Sequence, residues 1–261
     1  MRNTVPPSHE LWVCHLGHVP YYDGVAIQAT LRARRQAGEL PDTMLLLEHP
    51  PVYTRGRRAD AEDLPFPEDF YRAKGIDVAS TARGGKLTYH GPGQLVGYPI
   101  VAIYDVGRYL RTIEAAIIDA LGVEGIAARS RHDEGIDYTG VWVEDRKIAS
   151  IGVHVSRGIA THGFAVNVEN ELEPFSRVVA CGLPDVQMTS IACELGASDA
   201  PGLACFRKEM AYRFCEALGR RQRLVSAARL GIDTTPSVCA APTGAEPIKS
   251  IAAAAPQAVP V

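Results

Sequence analysis

Four places in this chain combine residue types that could do chemistry. Residues 82–100, ARGGKLTYHGPGQLVGYPI, hold five glycines and two prolines and lead into an apolar run. A scaffold turn needs one or two glycines; this many bring bare backbone close to something. Arg83, Thr88 and His90 are the polar anchors in that stretch. In RKIASIGV, Lys147 shares strand parity with Ala149, Ile151 and Val153, while Arg146 points to water. A lysine on an apolar face is costly unless it is paired or serves a reaction; the alternative is a strand-end lysine that snorkels out. In IATHGFAVNV, His162 shares parity with Phe164, Val166 and Val168. One such histidine is usually a hydrogen-bonded core residue, but two polar groups on neighbouring strands suggest a pocket wall. Cys181, in RVVACGLPDV, precedes Gly182 and Pro184 and should sit in a turn. A thiol attacks as the thiolate, which a nearby ammonium favours. A Cys–Lys pair is therefore a plausible engine for acyl transfer, although spacing alone does not bring Cys181 and Lys147 together.

The elements that must position these residues follow from periodicity. A helix is predicted over 22–40, a buried strand over 42–49, and a Pro-rich charged loop over 48–70. IDVAS and KLTYH read as short strands and residues 94–103 as a longer one. Asp105 is a predicted N-cap for a helix with Val106, Leu110, Ile113, Ile117 and Leu121 at helical spacing, ending near Gly122. Residues 139–156 read as a hairpin turning at Glu144-Asp145-Arg146, 159–168 as a strand and 202–219 as a second helix. From about residue 233 the Ala/Pro bias predicts a disordered tail. The expected organisation is a domain over 11–231, a flexible arm over 1–10 and a tail over 232–261. Interspersed helices, strands and hairpins imply an α+β fold with mixed or antiparallel sheets.

Composition excludes some functions. The chain has 261 residues, 46% hydrophobic and 22% charged, with a formal charge of -3, so nothing global argues for nucleic acid. No apolar run approaches the ~20 residues that span a bilayer. The N-terminal residues lack a signal-peptide segment, and a cytoplasmic location without membrane association is expected. None of the six cysteines forms a C-x-x-C pair, which argues against zinc-ribbon and thioredoxin chemistry.

Four blocks in order carry a resemblance: RGGKLTYHGPGQLVGYPI (83–100), KIASIGV (147–153), THGFAVNV (161–168) and ACGLPDVQMTSI (180–191). Over about residues 12–225 the chain is similar to the lipoyl(octanoyl) transferases of lipoic acid biosynthesis. The resemblance implies the α/β sandwich fold of biotin and lipoate protein ligase catalytic domains. It implies transfer of an octanoyl group from octanoyl-acyl carrier protein to a lysine ε-amine. The acceptor lysine is on a lipoyl-domain protein, meaning a 2-oxoacid dehydrogenase E2 subunit or glycine cleavage H protein. It implies no ATP, metal or other cofactor; the donor carries phosphopantetheine on its own carrier. By resemblance Cys181 matches the acyl-thioester cysteine and Lys147 the lysine that lowers its pKa. The substrate-binding segments fall on Arg83, Gly84, Gly85, Lys86, Leu87, Thr88, Tyr89 and His90; on Ser150, Ile151 and Gly152; and on Gly163, Phe164 and Ala165. His49 also falls in a recurrent block, near the expected acyl pocket. Arg55, Arg57, Arg58 and the Arg129-Ser130-Arg131 run would form a docking rim for acidic partners, or simply a solvated face. Three rivals stay open: an ATP-dependent lipoate or biotin ligase on the same fold, a non-catalytic lipoyl- or carrier-protein binding module, and a cysteine peptidase, for which no Cys–His–Asn arrangement is recognisable.

Overall fold

The computed structural model describes residues 9–183 and 186–233, with only the backbone of Cys181. The expected arm over 1–10 and tail over 232–261 therefore lie almost wholly outside the described residues. In chain order the strands are β1 (Glu10–His18), β2 (Thr43–Glu48), β3 (Val52–Arg55), β4 (Asp77–Ser80), β5 (Leu87–His90) and β6 (Gln94–Ile100). They continue with β7 (Arg129–Ser130), β8 (Gly140–Val143), β9 (Arg146–Ser156), β10 (Ile159–Asn167), β11 (Gln187–Met188) and β12 (Arg221–Leu224). The helices are α1 (Tyr21–Gln36), α2 (Glu68–Arg72), α3 (Val106–Val123), α4 (Ile191–Leu195) and α5 (Leu203–Ala217).

A large mixed sheet runs in the order β12-β1-β2-β6-β10-β9-β8-β7, with β11 added alongside β9. A small sheet, β4-β3-β5, stands beside it. Helix α1 covers one face of the large sheet: Leu31 packs with Leu45, Leu47, Val96, Tyr98, Ile100 and Ala165. Helices α3 and α5 cover the other, where Ile113, Ile117, Phe206 and Phe214 meet Met44, Leu46, Phe164 and Val166. With both faces covered, every residue of β10 is buried, so its sequence shows little alternation.

The local signals mostly act as expected. The Asp105 carboxylate accepts the Arg108 N–H at 2.9 Å and starts α3. The β8–β9 hairpin turns at Glu144, whose φ of 51° suits a tight turn. The expected loop over 48–70 is corrected: it contains β3 and the start of α2. Pro50 and Pro51 mask β3, a four-residue strand whose partners β4 and β5 lie later in the chain. Strand β5 brings the glycine-rich stretch against β3, and β6 carries it into the centre of the large sheet.

Candidate active site

Lys147 and Arg146 begin β9. Lys147 is 1% exposed, whereas Arg146 bonds Glu194 and Glu144 at the surface. Parity gave the burial but not its direction. Val141 pairs with Ala149 and Trp142 with Lys147, so Ile148 is an extra residue in β9. This bulge turns Lys147 away from the Ala149 face and onto that of Trp142, whose ring lies 5.2 Å from its Nζ. Gly140 makes room for it: a Cβ there would lie 2.6 Å from Lys147 Cε, and its φ of 142° favours glycine. The N–H of Gly140 donates to Glu114 on α3, a buried carboxylate that also pairs with Arg111.

His162 is a second correction. Its backbone is left-handed, φ 56°, which breaks the alternation of β10. Phe164 stays on the α3–α5 face, while His162 packs edge-on to Tyr98, 5.9 Å between ring centres, on the α1 face. The Gln28 side-chain carbonyl accepts the His162 N–H at 2.6 Å.

These strands wall a cavity of about 470 Å³, inside the ~300–1,000 Å³ range of small-molecule sites. Lys147, Arg83, Gly84, Gly85, Lys86, Leu87, Thr88 and His90 line it, as do Ser150, Ile151, Gly152, Gly163, Phe164 and Ala165. Tyr89 is the exception among the expected segments. It points into the small-sheet cluster with Tyr53 and Phe175, the opposite side of β5 from Thr88 and His90. Sequence reading missed Tyr21, Tyr98, Ile136 and Thr139 as lining residues; they come from a helix, a strand centre and a loop that only tertiary packing brings together. Val106 and Leu110, assigned to a helix stripe, also line the cavity.

Arg83 is buried and turned back on the scaffold. Its guanidinium donates to Thr54 Oγ1 at 2.8 Å and to the Gly84 carbonyl at 3.0 Å. The Gly84 N–H is committed to the Val153 carbonyl at 2.9 Å and is not a spare oxyanion donor. At the inner end sit three histidines. His49 Nδ1–H donates to the Val19 carbonyl at 2.6 Å, so its Nε2 accepts the Tyr98 hydroxyl at 2.7 Å. His49 is wholly buried behind the wall and does not line the cavity. Burial is the main cause that lowers all three imidazoles: His49 to about 4, His162 to about 3, and His90 well below its ordinary value. His90 Nδ1–H donates to Gln94 Oε1 at 2.7 Å, Gln94 Nε2 to Asn167 Oδ1 at 2.8 Å, and Asn167 Nδ2 to the Thr189 carbonyl at 2.9 Å. The Thr189 N–H then donates to the Lys147 carbonyl at 3.0 Å. A hydrogen-bonded chain thus joins the histidine end to the lysine strand.

The backbone of Cys181 lies in a 3-10 turn, Ala180–Gly182, as expected of a turn residue; its side chain is outside the described residues. Ala180 anchors the turn among Tyr53, Leu87 and Phe175. Gly182, φ 71°, lies against the Lys86 side chain, which a Cβ there would displace, and Lys86 lines the cavity. Seven residues beyond Cys181, Met188 pairs with Lys147 itself. Two described cysteines are poor nucleophiles: burial pushes Cys14 up to about 11 and Cys215 up to about 12. The expected docking rim is largely neutralised. Arg55 pairs with Glu68, Arg58 with Asp137, and Arg129 and Arg131 with Glu134 and Asp145.

Among the described residues no helix is long and apolar enough to cross a membrane. Residues 20–214 match the lipoyl protein ligase A/B catalytic domain family. An octanoyltransferase of Rubrobacter xylanophilus is 47% identical over 207 residues, covering 78% of this chain and 91% of that protein. The mitochondrial octanoyltransferase of Arabidopsis thaliana is 38% identical over 193 residues, covering 72% and 80%. In fold the chain is similar to a lipoate-protein ligase A crystallised with ATP, with a TM-score of 0.71 at 18% identity over 83% of this chain and 89% of that one. A catalytic-domain match over most of the chain, with relatives 47% and 38% identical over more than two thirds of it, establishes that this chain belongs to the octanoyltransferase family.

Proposed function

We propose that this octanoyltransferase works through a covalent thioester on Cys181, with Lys147 as its proton carrier. The observation that carries the reading is the lysine: a fully buried lysine side chain is rare, and Lys147 reaches the wall of an acyl-sized cavity. The Cys181 turn rests against Lys86 on the same wall, and the strand that follows it pairs at Lys147. The Cys181 thiolate, favoured by the Lys147 ammonium, attacks the octanoyl carbonyl carbon. The donor C–S bond breaks and the departing thiolate takes a proton from Nζ. The acceptor lysine amine then attacks the acyl-enzyme and gives a proton to the neutral Nζ. The Cys181 C–S bond breaks, and the thiolate–ammonium pair is restored. The first exchange trades one thioester for another, and the amide formed in the second step drives the cycle forward. Burying the eight-carbon chain contributes about 5 kcal/mol, at ~0.8 kcal/mol per methylene. The donor is octanoyl-acyl carrier protein, the acceptor is a lysine of a lipoyl-domain protein, and the cycle needs neither ATP nor a metal.

Intact mass after mixing with octanoyl-acyl carrier protein, without ATP, tests this. The expected result is one octanoyl adduct, absent in Cys181→Ser and discharged by a lipoyl-domain acceptor. An adduct on another residue would reject Cys181 as the nucleophile, and transfer only with ATP and free octanoate would reject the thioester route.

A further inference from the structure

One buried acid has no part in the transfer cycle. On α3, Val106, Leu110 and Glu114 recur every four residues along one stripe, and the first two line the cavity. Glu114 is 1% exposed. Burying a carboxylate is costly unless it is paired and hydrogen-bonded, and an apolar side chain would continue the stripe at less cost. The acid has three partners. Arg111 pairs with it at 2.7 Å, the Ser130 hydroxyl donates to it at 2.6 Å, and the Gly140 N–H donates to it at 3.1 Å. Arg111 balances its charge, so what Glu114 offers Gly140 is a fixed acceptor.

That acceptor falls where the lysine slot is weakest. Gly140 and Trp142, two residues apart on β8, face the Lys147 side chain together: the indole lies 5.2 Å from Nζ, and a Cβ on Gly140 would lie 2.6 Å from Cε. Trp142 is pinned from outside. Its indole N–H donates to the Tyr138 carbonyl at 2.9 Å, and the Arg131 guanidinium lies 4.7 Å over its ring. Gly140 has no side chain to be held by. It opens β8 just after the 3-10 turn Ile136–Tyr138, and glycine has more backbone freedom to lose than any other residue. Strand β7 ends at Ser130, opposite Val141, and does not reach Gly140. The Glu114 carboxylate takes the Gly140 N–H in its place.

We propose that Glu114 is a positioning residue for Lys147: through the Gly140 N–H it fixes the floor of the slot that holds the lysine amine at the cavity wall. The proposal rests on the proton-carrier reading of Lys147 above. Glu114 itself touches no substrate; it acts by geometry, through the backbone of β8.

The test uses two substitutions of similar volume: Glu114→Gln, whose carbonyl still accepts the Gly140 N–H, and Glu114→Met, which has no oxygen. Each is made in the unaltered chain and in Lys147→Met, and kcat, donor KM and melting curves are read with octanoyl-acyl carrier protein. Glu114→Met should lower kcat roughly ten- to a hundredfold, the scale of a misplaced reacting group, with donor KM unchanged, and Glu114→Gln should recover it to within about threefold. In the Lys147→Met chain the same change should add little, because no amine is left to place. A full further loss there would show that Glu114 acts apart from the lysine and would overturn the proposal. So would a Glu114→Met chain that melts earlier but keeps its kcat, or equal losses in both Glu114 variants, which would assign the effect to charge. Hydrogen exchange at the Gly140 amide needs no variant: protection like that of the β8–β9 core is expected, and exchange at the rate of an open loop would overturn the clamp even if Glu114→Met fails to fold. Lys147→Met with kcat intact is a separate result and would overturn the proton-carrier reading together with the proposal.

Discussion

The two ends of the cavity are built on opposite principles. At the inner end, His49, His90 and His162 are uncharged and pack edge-on or stacked against Tyr21 and Tyr98, and His90 starts a hydrogen-bonded chain through Gln94 and Asn167. At the outer end, charges dominate: Lys86 with Asp60, and Arg58 with Asp137. Lys147 is buried and lines the same cavity, and its backbone carbonyl ends the hydrogen-bonded chain that starts at His90. The contrast separates two tasks. A neutral hydrogen-bonded network holds shape, because each buried polar group left unpaired would cost about 1–3 kcal/mol. Charges at a wet rim hold little shape but recognise charged partners.

The largest expected effect breaks the middle of the cavity. Cys181→Ser and Lys147→Met should each lower octanoyl transfer by at least about 1,000-fold, the scale of losing a nucleophile or its proton carrier, with little change in thermal stability. Rates of single-turnover transfer, read beside melting curves, check this; a residual rate within tenfold would reject the assigned role.

The inner end is next, through pH. A buried imidazole with a lowered pKa binds fewer protons folded than unfolded. Its contribution is intact above the ordinary value of about 6.5 and is lost as pH falls toward the folded value. For His49, folded value about 4, that window runs from about 6.5 down to 4 and is worth about 3 kcal/mol. His162 and His90 shift in the same direction. Urea denaturation at steps between pH 7 and 4 should show stability falling steadily; a flat profile would count against neutral buried histidines.

A smaller effect joins the two ends. Gly140→Ala puts a Cβ against Lys147 Cε and the Ala149 carbonyl. The overpacking should cost about 1–3 kcal/mol and lower kcat by roughly tenfold or more, as the misplaced amine loses its geometry. Loss of stability with unchanged kcat would separate Gly140 from the lysine. The least effect belongs to the rim. A double-mutant cycle of Arg58→Ala and Asp137→Ala should return under about 1 kcal/mol of coupling, because both side chains are about 40% exposed, at 41% and 40%.

Much of this arrangement was legible in residue order. Asp105 marked the start of α3, the alternation of 139–156 marked the β8–β9 hairpin, and the glycine-rich block marked the place where backbone comes close to a cavity. Local patterns succeed there because caps, turns and strand faces are set by neighbours a few residues apart. They failed where the cause lies elsewhere in the chain. Strand β3 was hidden behind two prolines because its stability comes from β4 and β5. Tyr89 was grouped with the binding segment because adjacent strand residues look alike in a motif, although they face opposite ways. Parity assigned Lys147 and His162 to an apolar face, and a bulge at Ile148 and a left-handed residue at His162 redirected both.

The sequence by itself determined the family, the order of elements and the chemical types available: a lysine, a turn cysteine and a glycine-rich wall. Only the tertiary structure decided which of these face one another. Side-chain direction in a strand changes sign with each residue, and a single bulge or positive φ reverses everything beyond it. That reversal turned the Lys147 amine from the core into the cavity. Packing around the cavity likewise bonded Arg83 into the scaffold and paired Lys86 with Asp60 and Arg58 with Asp137.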